Sequence, residues 1–507
     1  MTVTTTLRTA ADSEPARRKA PGWVIACVAL YAAGVFLPFL GARTLTPHEV
    51  MVSHPALRIL EDGHWIVPRF ANGFWLDKPP LVNWLTAACF AIVGGFSEFA
   101  ARLPAALSAV GLCVLMAVLA GRFFSTRVAL LTGLVQASCV YMYMQGRLGE
   151  IDIVLALLLT AAHGVLLWHW GRGGFDLPWR ASLLFYFLAA LAVLAKGPVA
   201  VALLGATVIA YAIWRRTWRP IRAVLISPGV LVFVLVAGGW HVAAAYSVGA
   251  EALQEWNYNT IARFLGLHRL GSQSFFLYFR DIPWMVLPWT VALVLGARVL
   301  AAGYRGPDGP VHRFLWSWFL GGLGFLLLAL FKHKHYAIPI LPPLSILAAL
   351  VIDAHLVKKG VHARRFYTIV FAVCLLGFAF VGGYVMPRQD HRRVTAEFVA
   401  GATAGVPADE TLYVIGLAQS SAYPYIAHKR CAYLDRLDDI RDELRERQRP
   451  MWVLSLRKYA QLAADRGLSF EQAAAEQPRR KHPEPETLVL GRLWESEPAA
   501  SSPAGPR

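Results

Sequence analysis

The chain has 507 residues, of which 56% are hydrophobic and only 16% are charged, and its formal net charge is +17. Soluble globular domains average roughly 25% charged residues, so the composition excludes a set of soluble domains and predicts a polytopic membrane protein. The positive charge does not indicate a nucleic-acid partner, because the basic residues lie in short clusters between long apolar runs.

The apolar runs are candidates for membrane-spanning helices, because ~20 helical residues cross the ~30 Å hydrocarbon layer. They lie at 22–42, 79–96, 100–121, 127–146, 151–170, 181–197, 198–214, 223–246, 283–302, 314–331, 337–354 and 366–386. The positive-inside rule predicts that the basic tail 1–21 and the basic turn 121–127 are both cytoplasmic. An even number of crossings must then separate them, so the short run 79–96 is predicted to lie in the outer interface. This predicts about eleven crossings, with twelve or thirteen as open alternatives.

The chain divides into a membrane domain and a small outer domain. Residues 22–386 are the predicted membrane domain, with outer loops at 43–99 and 247–282, and its first run is interpreted as an uncleaved signal anchor. The strand-like runs "TLYVIG", "CAYLD", "MWVLSL" and "TLVLGRLW" alternate with charged helical stretches. Residues 387–495 are therefore a predicted soluble α/β domain, and 496–507 a predicted disordered tail.

Ionisable side chains concentrate on the predicted outer side, although charges near a bilayer are costly and usually functional. They are His48, Glu49, Asp77, Lys78, Arg147, Glu150, Asp152, Lys196, His268, Lys332, His333, Lys334 and His335. Cations together with a few carboxylates on one face predict an anionic substrate and acid–base chemistry. The structural alternatives are that Lys196 snorkels to the interface, that Asp152 begins a helix, and that the 332–335 cluster is a solvated loop.

Five stretches resemble, in order, motifs of one family. They are "LRILEDGHWIVPRFANGFWLDKPPLVNWLTA", "FAARLPAAL", "GRLGEIDIVLALLL", "LAKGP" and "HKHYAIPILPPL". The chain resembles the bacterial membrane glycosyltransferases of the lipid A aminoarabinose transferase type, which are related to protein O-mannosyltransferases. The resemblance spans roughly residues 20–350. It implies an all-α, GT-C-like membrane fold, an active site in the periplasmic loops, and inverting sugar transfer from an undecaprenyl-phosphate carrier.

The resemblance also implies roles for individual residues. Lys78, Lys196 and a lysine of the pair Lys332 and Lys334 would bind the carrier phosphate, with a hydroxyl hydrogen bond from Tyr336. Arg147 is assigned to the same substrate-binding set. Asp152 matches an acidic position near the sugar. Asp77 stands where the family usually has Glu, and with His268 it could hold a divalent metal, although two ligands are too few to define a site.

The loop beginning at Thr46 departs from the family pattern. His48-Glu49 stands where Asp-Glu is usual, and Met51 and Val52 replace an Arg and a Tyr. Several hypotheses remain open for the catalytic base: Glu49 takes it over, His48 does so near neutral pH, or Asp152 alone suffices. Alternatively, the acceptor is already an anion that needs little base assistance, or transferase activity has been lost or the donor changed.

The predicted function is transfer of a sugar from a polyprenyl-phosphate carrier to a lipid, such as lipid A, or to another periplasmic acceptor. The predicted location is the bacterial inner membrane, with the site and C-terminal domain facing the periplasm. Two alternatives stay open, a flippase for lipid-linked sugars and an inert assembly partner. A transporter should place ionisable residues mid-span, whereas here they lie at span ends.

Overall fold

The structure is a computed structural model. It describes residues 20–71, 73–267, 272–390, 392–407, 409–417, 431–434, 437–464, 467–478 and 486–495. Nearly all of the predicted basic tail 1–21, the predicted disordered tail 496–507 and the predicted metal ligand His268 lie outside the described residues.

The described residues are mainly helical, which confirms the predicted α-helical membrane fold. The α-helices are α1 Gly22–Phe36, α2 Pro47–Asp62, α3 Leu81–Val93, α4 Glu98–Phe123, α5 Thr126–Ser138, α6 Val140–Gln145, α7 Asp152–Trp170, α8 Trp179–Lys196, α9 Val199–Trp214, α10 Arg219–Leu225, α11 Gly229–Phe233, α12 Gly239–Val248, α13 Ala250–Asn257, α14 Leu277–Met285, α15 Trp289–Leu295, α16 Ala297–Arg305, α17 Gly309–Leu328, α18 Pro342–Phe380, α19 Met386–Arg388, α20 Arg392–Thr403, α21 Leu437–Arg447 and α22 Arg457–Ala464.

Among the described residues, six helical segments are long and apolar enough to span a membrane. They are Glu98–Phe123, Asp152–Trp170, Trp179–Lys196, Gly229–Val248, Gly309–Leu328 and Pro342–Arg388. Shorter apolar helices include α1, α3 and α9. Helix α3 has 13 residues, or about 20 Å, which is short of the hydrocarbon thickness and in keeping with the predicted interfacial position of 79–96. The number of crossings stays a prediction.

Helix α18 folds back on itself at Gly360, which has φ 56° and ψ −126°. On either side of it, His355 Nδ1 and Tyr367 Oη are 2.9 Å apart. Twelve residues of straight helix would separate them by about 18 Å, so the chain reverses between them. The two arms correspond to the separate apolar runs predicted at 337–354 and 366–386.

Helices pack closely where small residues face a neighbour. A Cβ on Gly321 of α17 would lie 2.6 Å from the carbonyl oxygen of Ala206 in α9, so only glycine permits this approach. Close backbone contact at small residues is how helices associate in lipid, where burial of apolar surface gives little drive. The α9–α17 pair forms part of the main core, which includes the buried Trp170 and Trp318.

A five-stranded sheet forms the C-terminal domain, which confirms the predicted small α/β domain. After a short hairpin of β1 Arg69–Phe70 and β2 Gly73–Phe74, the sheet contains β3 Leu412–Ile415, β4 Cys431–Leu434, β5 Met451–Leu456, β6 Leu468–Ala475 and β7 Leu488–Glu495. The strand order is β4-β3-β5-β7-β6, with β3 parallel to β4 and β5, and β7 antiparallel to β5 and β6. Strand β6 was not predicted.

The C-terminal domain is anchored on the loop before α2 and on α2 itself. The Asp390 carboxylate accepts hydrogen bonds from the Thr44 backbone N–H at 2.7 Å and from the Thr44 hydroxyl at 2.9 Å. The ring of Tyr433 in β4 lies 6.4 Å from the ring of His54 in α2. The sheet is thereby fixed to the same end of the molecule as the loop that begins at Thr46.

Candidate functional site

A cavity of about 730 Å³ lies at one end of the helix bundle. Its wall combines the loop at 77–79, the start of α7, the junction between α8 and α9, the helical segment around 256–265, and the region 325–339. Three cations and two carboxylates line it: Lys78, Lys196, Arg263, Asp77 and Asp152. Most other lining residues are apolar, including Leu155, Val199, Leu203, Phe264 and Phe325.

A buried ion pair joins two helix ends at this cavity. The Lys196 ammonium donates to Asp152 Oδ1. Asp152 is the first residue of α7 and Lys196 the last of α8, so each charge complements the dipole of its own helix. Gly197, with φ 86°, ends α8, and Pro198 precedes α9. The "KGP" motif thus places Lys196 at the cavity wall.

Tyr336 extends this pair. The Lys196 Nζ lies 4.4 Å from the centroid of the Tyr336 ring, a cation–π geometry. Burial raises the pKa of the Tyr336 phenol above its usual value, although the charges of Lys196 and Arg263 oppose that rise. The phenol therefore stays protonated and can donate a hydrogen bond to an anion in the cavity.

A second charge group lies across the cavity at Asp77. Lys78 Nζ is 2.9 Å from Asp77 Oδ1, and Arg263 Nη2 is 3.6 Å from the same oxygen. Burial lowers the pKa of Lys78, the Asp77 charge opposes this, and Arg263 and Lys196 add to the lowering. Three cations against two carboxylates leave the wall with one excess positive charge, which suits an anionic ligand.

The structure brings five of the predicted site residues together: Asp77, Lys78, Asp152, Lys196 and Tyr336 all line the cavity. Arg263 joins them and was not predicted. The sequence indicated Arg263 only as a basic residue in the predicted outer loop 247–282, where the positive-inside rule disfavours basic residues.

Glu49, which was predicted as a catalytic base, does not face solvent. Its carboxylate is fully buried and accepts from Arg102 Nε at 2.6 Å and Nη2 at 3.1 Å. It also accepts from the Gly149 N–H at 3.0 Å and from the Thr46 N–H at 2.8 Å in a capping box. Burial alone would raise the pKa of Glu49, but Arg102, Arg43 and the Gly149 hydrogen bond outweigh it and lower the pKa. This geometry favours a structural role over the predicted role of base.

His48 is exposed at the start of α2, and its charge acts on the imidazoles of His333 and His335. Burial lowers the pKa of His335 to about 4, so this side chain is neutral near pH 7. The His333 and His335 rings stack with centroids 5.0 Å apart. His48 thus lies near the 333–336 segment, but it is not among the residues that line the cavity.

Three predicted phosphate ligands do not line the cavity. Lys332 is buried and donates to the Ala329 carbonyl. Lys334 is exposed, with its ammonium 5.9 Å from the centroid of the Trp284 ring. Arg147 is buried and donates to the Phe36 carbonyl at 2.9 Å. Lys332 and Arg147 thus donate to the protein backbone, whereas Lys334 lies near an aromatic ring.

The predicted metal pair has no support among the described residues. Asp77 is occupied by two cations, and His268 lies outside the described residues. Within the described part of the chain, no group of three or more His, Cys, Asp or Glu side chains could hold a metal ion. The carboxylate at 77 is better suited to hold Lys78 and Arg263 in place.

Glu150 is a carboxylate that the sequence did not single out as a site residue. Burial raises the pKa of Glu150 to about 7, and the charges of Asp152 and Glu49 add to this rise, while Lys196 and Arg43 oppose it. Glu150 lies two positions before Asp152 in the chain, and it is not among the residues that line the cavity. A carboxylate whose pKa is raised towards neutrality is suited to general-base catalysis.

Comparison with known proteins identifies related chains. Residues 77–240 match the family model described as dolichyl-phosphate-mannose-protein mannosyltransferase. An uncharacterised protein of Aquifex aeolicus is 28% identical over 318 residues, which is 62% of this chain and 70% of that protein. The undecaprenyl phosphate-alpha-4-amino-4-deoxy-L-arabinose arabinosyl transferase of Shewanella sediminis is 27% identical over 335 residues. That match covers 64% of this chain but only 58% of the Shewanella protein.

Solved structures share the fold. ArnT from Cupriavidus metallidurans bound to undecaprenyl phosphate superposes with a TM-score of 0.75 at 19% identity, covering 96% of this chain and 99% of that chain. The archaeal oligosaccharyltransferase AglB from Archaeoglobus fulgidus superposes with a TM-score of 0.54 at 11% identity, covering 87% and 70%. The chain therefore shares the GT-C fold of these membrane glycosyltransferases, and its residues 77–240 are similar to the protein-mannosyltransferase family model.

Proposed function

We propose that the protein transfers a sugar from a polyprenyl-phosphate carrier to a lipid or other acceptor outside the cytoplasm. The observation that supports this proposal is the cavity in which Lys78, Lys196 and Arg263 face largely apolar walls. A polyprenyl phosphate has the matching chemistry, with a compact anion attached to a long hydrocarbon chain. The match of residues 77–240 to the mannosyltransferase family model and the fold shared with a structure bound to undecaprenyl phosphate agree with it.

In this proposal the three cations hold the carrier phosphate, with a hydrogen bond from the Tyr336 hydroxyl. As the bond between the anomeric carbon and the phosphate oxygen breaks, negative charge builds on the departing phosphate. Fixed cations aimed at the site of developing charge stabilise the transition state more than the ground state. Lys78 and Lys196 lie on different elements, so they hold the phosphate from two directions.

The Lys196–Asp152 pair gives the cavity a way to respond to the donor. An incoming phosphate competes with Asp152 for the Lys196 ammonium. Asp152 is then available to accept hydrogen bonds from hydroxyl or amino groups of the sugar. Its position as the first residue of α7 fixes where the carboxylate lies, and the helix dipole favours a negative charge there. Asp152 would thus orient the sugar in the way the sequence resemblance implies.

We propose that Glu150, which lies two positions before the cavity-lining Asp152, takes the acceptor proton. An acceptor hydroxyl attacks the anomeric carbon from the face opposite the phosphate, so the new C–O bond forms as the old one breaks, with inversion. The hydroxyl proton passes to the Glu150 carboxylate, and the electron pair of the broken bond leaves with the phosphate. A carboxylate titrating near neutrality is well matched to this transfer.

The location and the substrates follow from the same proposal. The cavity end of the bundle faces the periplasmic side of a bacterial inner membrane, because basic clusters such as 214–222 lie at the other end. The relatives named as arabinosyl transferases make undecaprenyl-phosphate aminoarabinose the first donor to test. Lipid A is correspondingly the first acceptor to test.

The test is label transfer in proteoliposomes that contain purified protein, radiolabelled sugar–undecaprenyl phosphate and a lipid acceptor. Label should pass to the acceptor with the wild-type protein and fall by at least tenfold in Lys78→Met and Lys196→Met, since each hydrogen bond to a charged group contributes about 1.5–3 kcal/mol. Lys359→Met, which removes an exposed lysine from the 357–365 cluster, is the matched control. Movement of label across the bilayer without transfer would instead support a flippase, and binding without either would support an inert partner.

A further inference from the structure

A second cavity, of about 920 Å³, lies at the opposite end of the α9–α17 helix pair. Helix α9 begins at Val199 in the wall of the first cavity and ends at Trp214 in the wall of the second. Helix α17 contributes Phe325 near its end to the first cavity and Arg313 near its start to the second. Because 16 helical residues extend about 24 Å, the two cavities open near opposite faces of the membrane.

The second cavity is positively charged. Its described lining includes three arginines, Arg215, Arg216 and Arg313, and no carboxylate. Among the described residues, none of these three guanidinium groups forms an ion pair. Three uncompensated guanidinium groups around one concave site make a receptor for an anion, because arginine presents several fixed donors to phosphate or carboxylate oxygens.

Aromatic rings hold two of these arginines, Arg215 and Arg313, in place. Arg215 donates to the Tyr211 hydroxyl at 3.2 Å and to the Gly173 carbonyl at 3.2 Å. Its guanidinium also lies 5.0 Å from the centroid of the Phe175 ring. The Arg313 guanidinium lies 5.1 Å from the centroid of the Tyr304 ring. Prior fixation of a cation lowers the side-chain entropy lost when an anion binds.

The rim of this cavity is apolar and faces outward. Ile213 is 68% exposed, Leu320 is 44% exposed and Trp214 is 36% exposed. In a membrane these side chains contact lipid hydrocarbon, so the cavity opens sideways into the bilayer as well as towards water. An occupant that satisfies both parts of the wall carries an anionic head and a hydrocarbon tail.

We propose that this second cavity binds the phosphate headgroup of an anionic phospholipid in the cytoplasmic leaflet. The positive-inside rule places the 214–222 cluster on the cytoplasmic side, where anionic lipids attract basic pockets between membrane helices. Arg216 and Arg313 supply the free donors, Arg215 adds positive potential, and Ile213 and Leu320 contact the first part of an acyl chain. The site does not depend on sugar transfer.

Native mass spectrometry of the purified full-length protein tests this proposal. The protein is titrated with phosphatidylglycerol and, separately, with phosphatidylcholine of the same acyl chains. The wild-type protein should retain phosphatidylglycerol with at least about tenfold higher affinity, and the double variant Arg216→Gln/Arg313→Gln should lose that preference. Arg219→Gln/Arg222→Gln, which removes the same charge from two exposed residues of α10, should keep it.

A further double variant distinguishes loss of the binding site from misfolding of the protein. Arg216→Lys/Arg313→Lys keeps both charges but loses the planar, two-pronged donor geometry, so its affinity should fall between those of the wild-type protein and the Gln variant. Equal retention of phosphatidylglycerol by the two Gln double variants would overturn the proposal. Displacement of phosphatidylglycerol by millimolar inorganic phosphate would also overturn it, since that outcome identifies a site for free phosphate.

Discussion

Glu49 and Arg102 form a buried ion pair in which Arg102 Nε lies 2.6 Å from Glu49 Oε1, and neither side chain is more than 1% exposed. Arg102 also donates to the carbonyl oxygens of Leu40, Arg43 and Thr44 at 2.8–3.0 Å. The pair therefore fastens the segment before α2 to α4. Because Glu49 also accepts from Gly149 just before α7, it links three elements near the cavity.

This relationship predicts that Glu49→Gln destabilises the fold. Removing one charge of a buried pair costs roughly 3–5 kcal/mol, since the partner is left buried and uncompensated. Thermal unfolding in detergent should show a clearly lower midpoint for this variant. Glu61→Gln breaks an exposed pair with Arg58 on the same helix, where such pairs contribute about 0–1 kcal/mol, and should unfold almost like the wild-type protein. Equal midpoints in the two variants would contradict the structural role of Glu49.

The sequence predicted the fold class and the small C-terminal α/β domain, because apolar length and strand-like alternation are local signals. It also selected Lys78, Asp152, Lys196 and Tyr336, which the structure places around one cavity. Lys196 and Asp152 lie at helix ends, where local sequence determines the position of the side chain.

The remaining differences come from contacts that the sequence pattern does not signal. Arg102 was quoted in the "FAARLPAAL" motif, but its pairing with Glu49, 53 positions earlier, leaves no local signal. Arg147 and Lys332 were predicted as phosphate ligands, whereas nearby backbone carbonyls accept their hydrogen bonds. Strand β6 includes "EQAAA", whose composition favours a helix, and it forms a strand because β7 pairs with it.

Variants of the Lys196–Asp152 pair should separate effects on the stability of the fold from effects on the binding of undecaprenyl phosphate. Lys196→Met leaves the Asp152 carboxylate buried without its partner, so unfolding should become easier by roughly 3–5 kcal/mol. Adding Asp152→Asn removes the orphaned charge and should restore most of the stability. Binding of undecaprenyl phosphate should remain weak in both variants, because Lys196 is absent from both. Recovery of binding together with stability would show that Lys196 serves only the fold.

The raised pKa of Glu150 predicts how the rate of sugar transfer depends on pH. Its pKa of about 7 lies above the usual range because burial and the charges of Asp152 and Glu49 disfavour the ionised form, against the opposing charges of Lys196 and Arg43. A base must be deprotonated, so the turnover number should rise as pH increases through about 7 and then level off. Glu150→Gln should abolish this rise together with most of the activity, whereas Glu251→Gln, an exposed residue of α13, should retain it.

The same profile separates Glu150 from His48. A rise that survives in Glu150→Gln but disappears in His48→Ala would assign the proton to His48. His335 cannot produce a rise near neutrality, because burial lowers its pKa to about 4. A flat profile in the wild-type protein would indicate an acceptor that is already ionised, such as a lipid phosphate.

Substitution of Arg147 should lower the stability of the fold without weakening the binding of undecaprenyl phosphate. Its guanidinium donates to the Phe36 carbonyl and lies 5.4 Å from the centroid of the Tyr143 ring, so it connects the end of α1 with α6. Arg147→Met should lower the unfolding midpoint, because the Phe36 carbonyl loses its donor. Affinity for undecaprenyl phosphate should change less than twofold, as measured with radiolabelled ligand at a temperature where the variant is folded. A tenfold loss would return Arg147 to the phosphate-binding set.

The most direct test of the central claim compares the affinity of the protein for undecaprenyl phosphate with that for undecaprenol, which has the same hydrocarbon chain without the charge. If Lys78, Lys196 and Arg263 hold the phosphate, the wild-type protein should bind the phosphate form at least about tenfold more tightly, because one hydrogen bond to a charged group contributes about 1.5–3 kcal/mol. The double variant Lys78→Met/Lys196→Met should lose most of this preference, because Arg263 alone of the three cations remains. A preference for the phosphate form that persists unchanged in the double variant would contradict the proposed phosphate site.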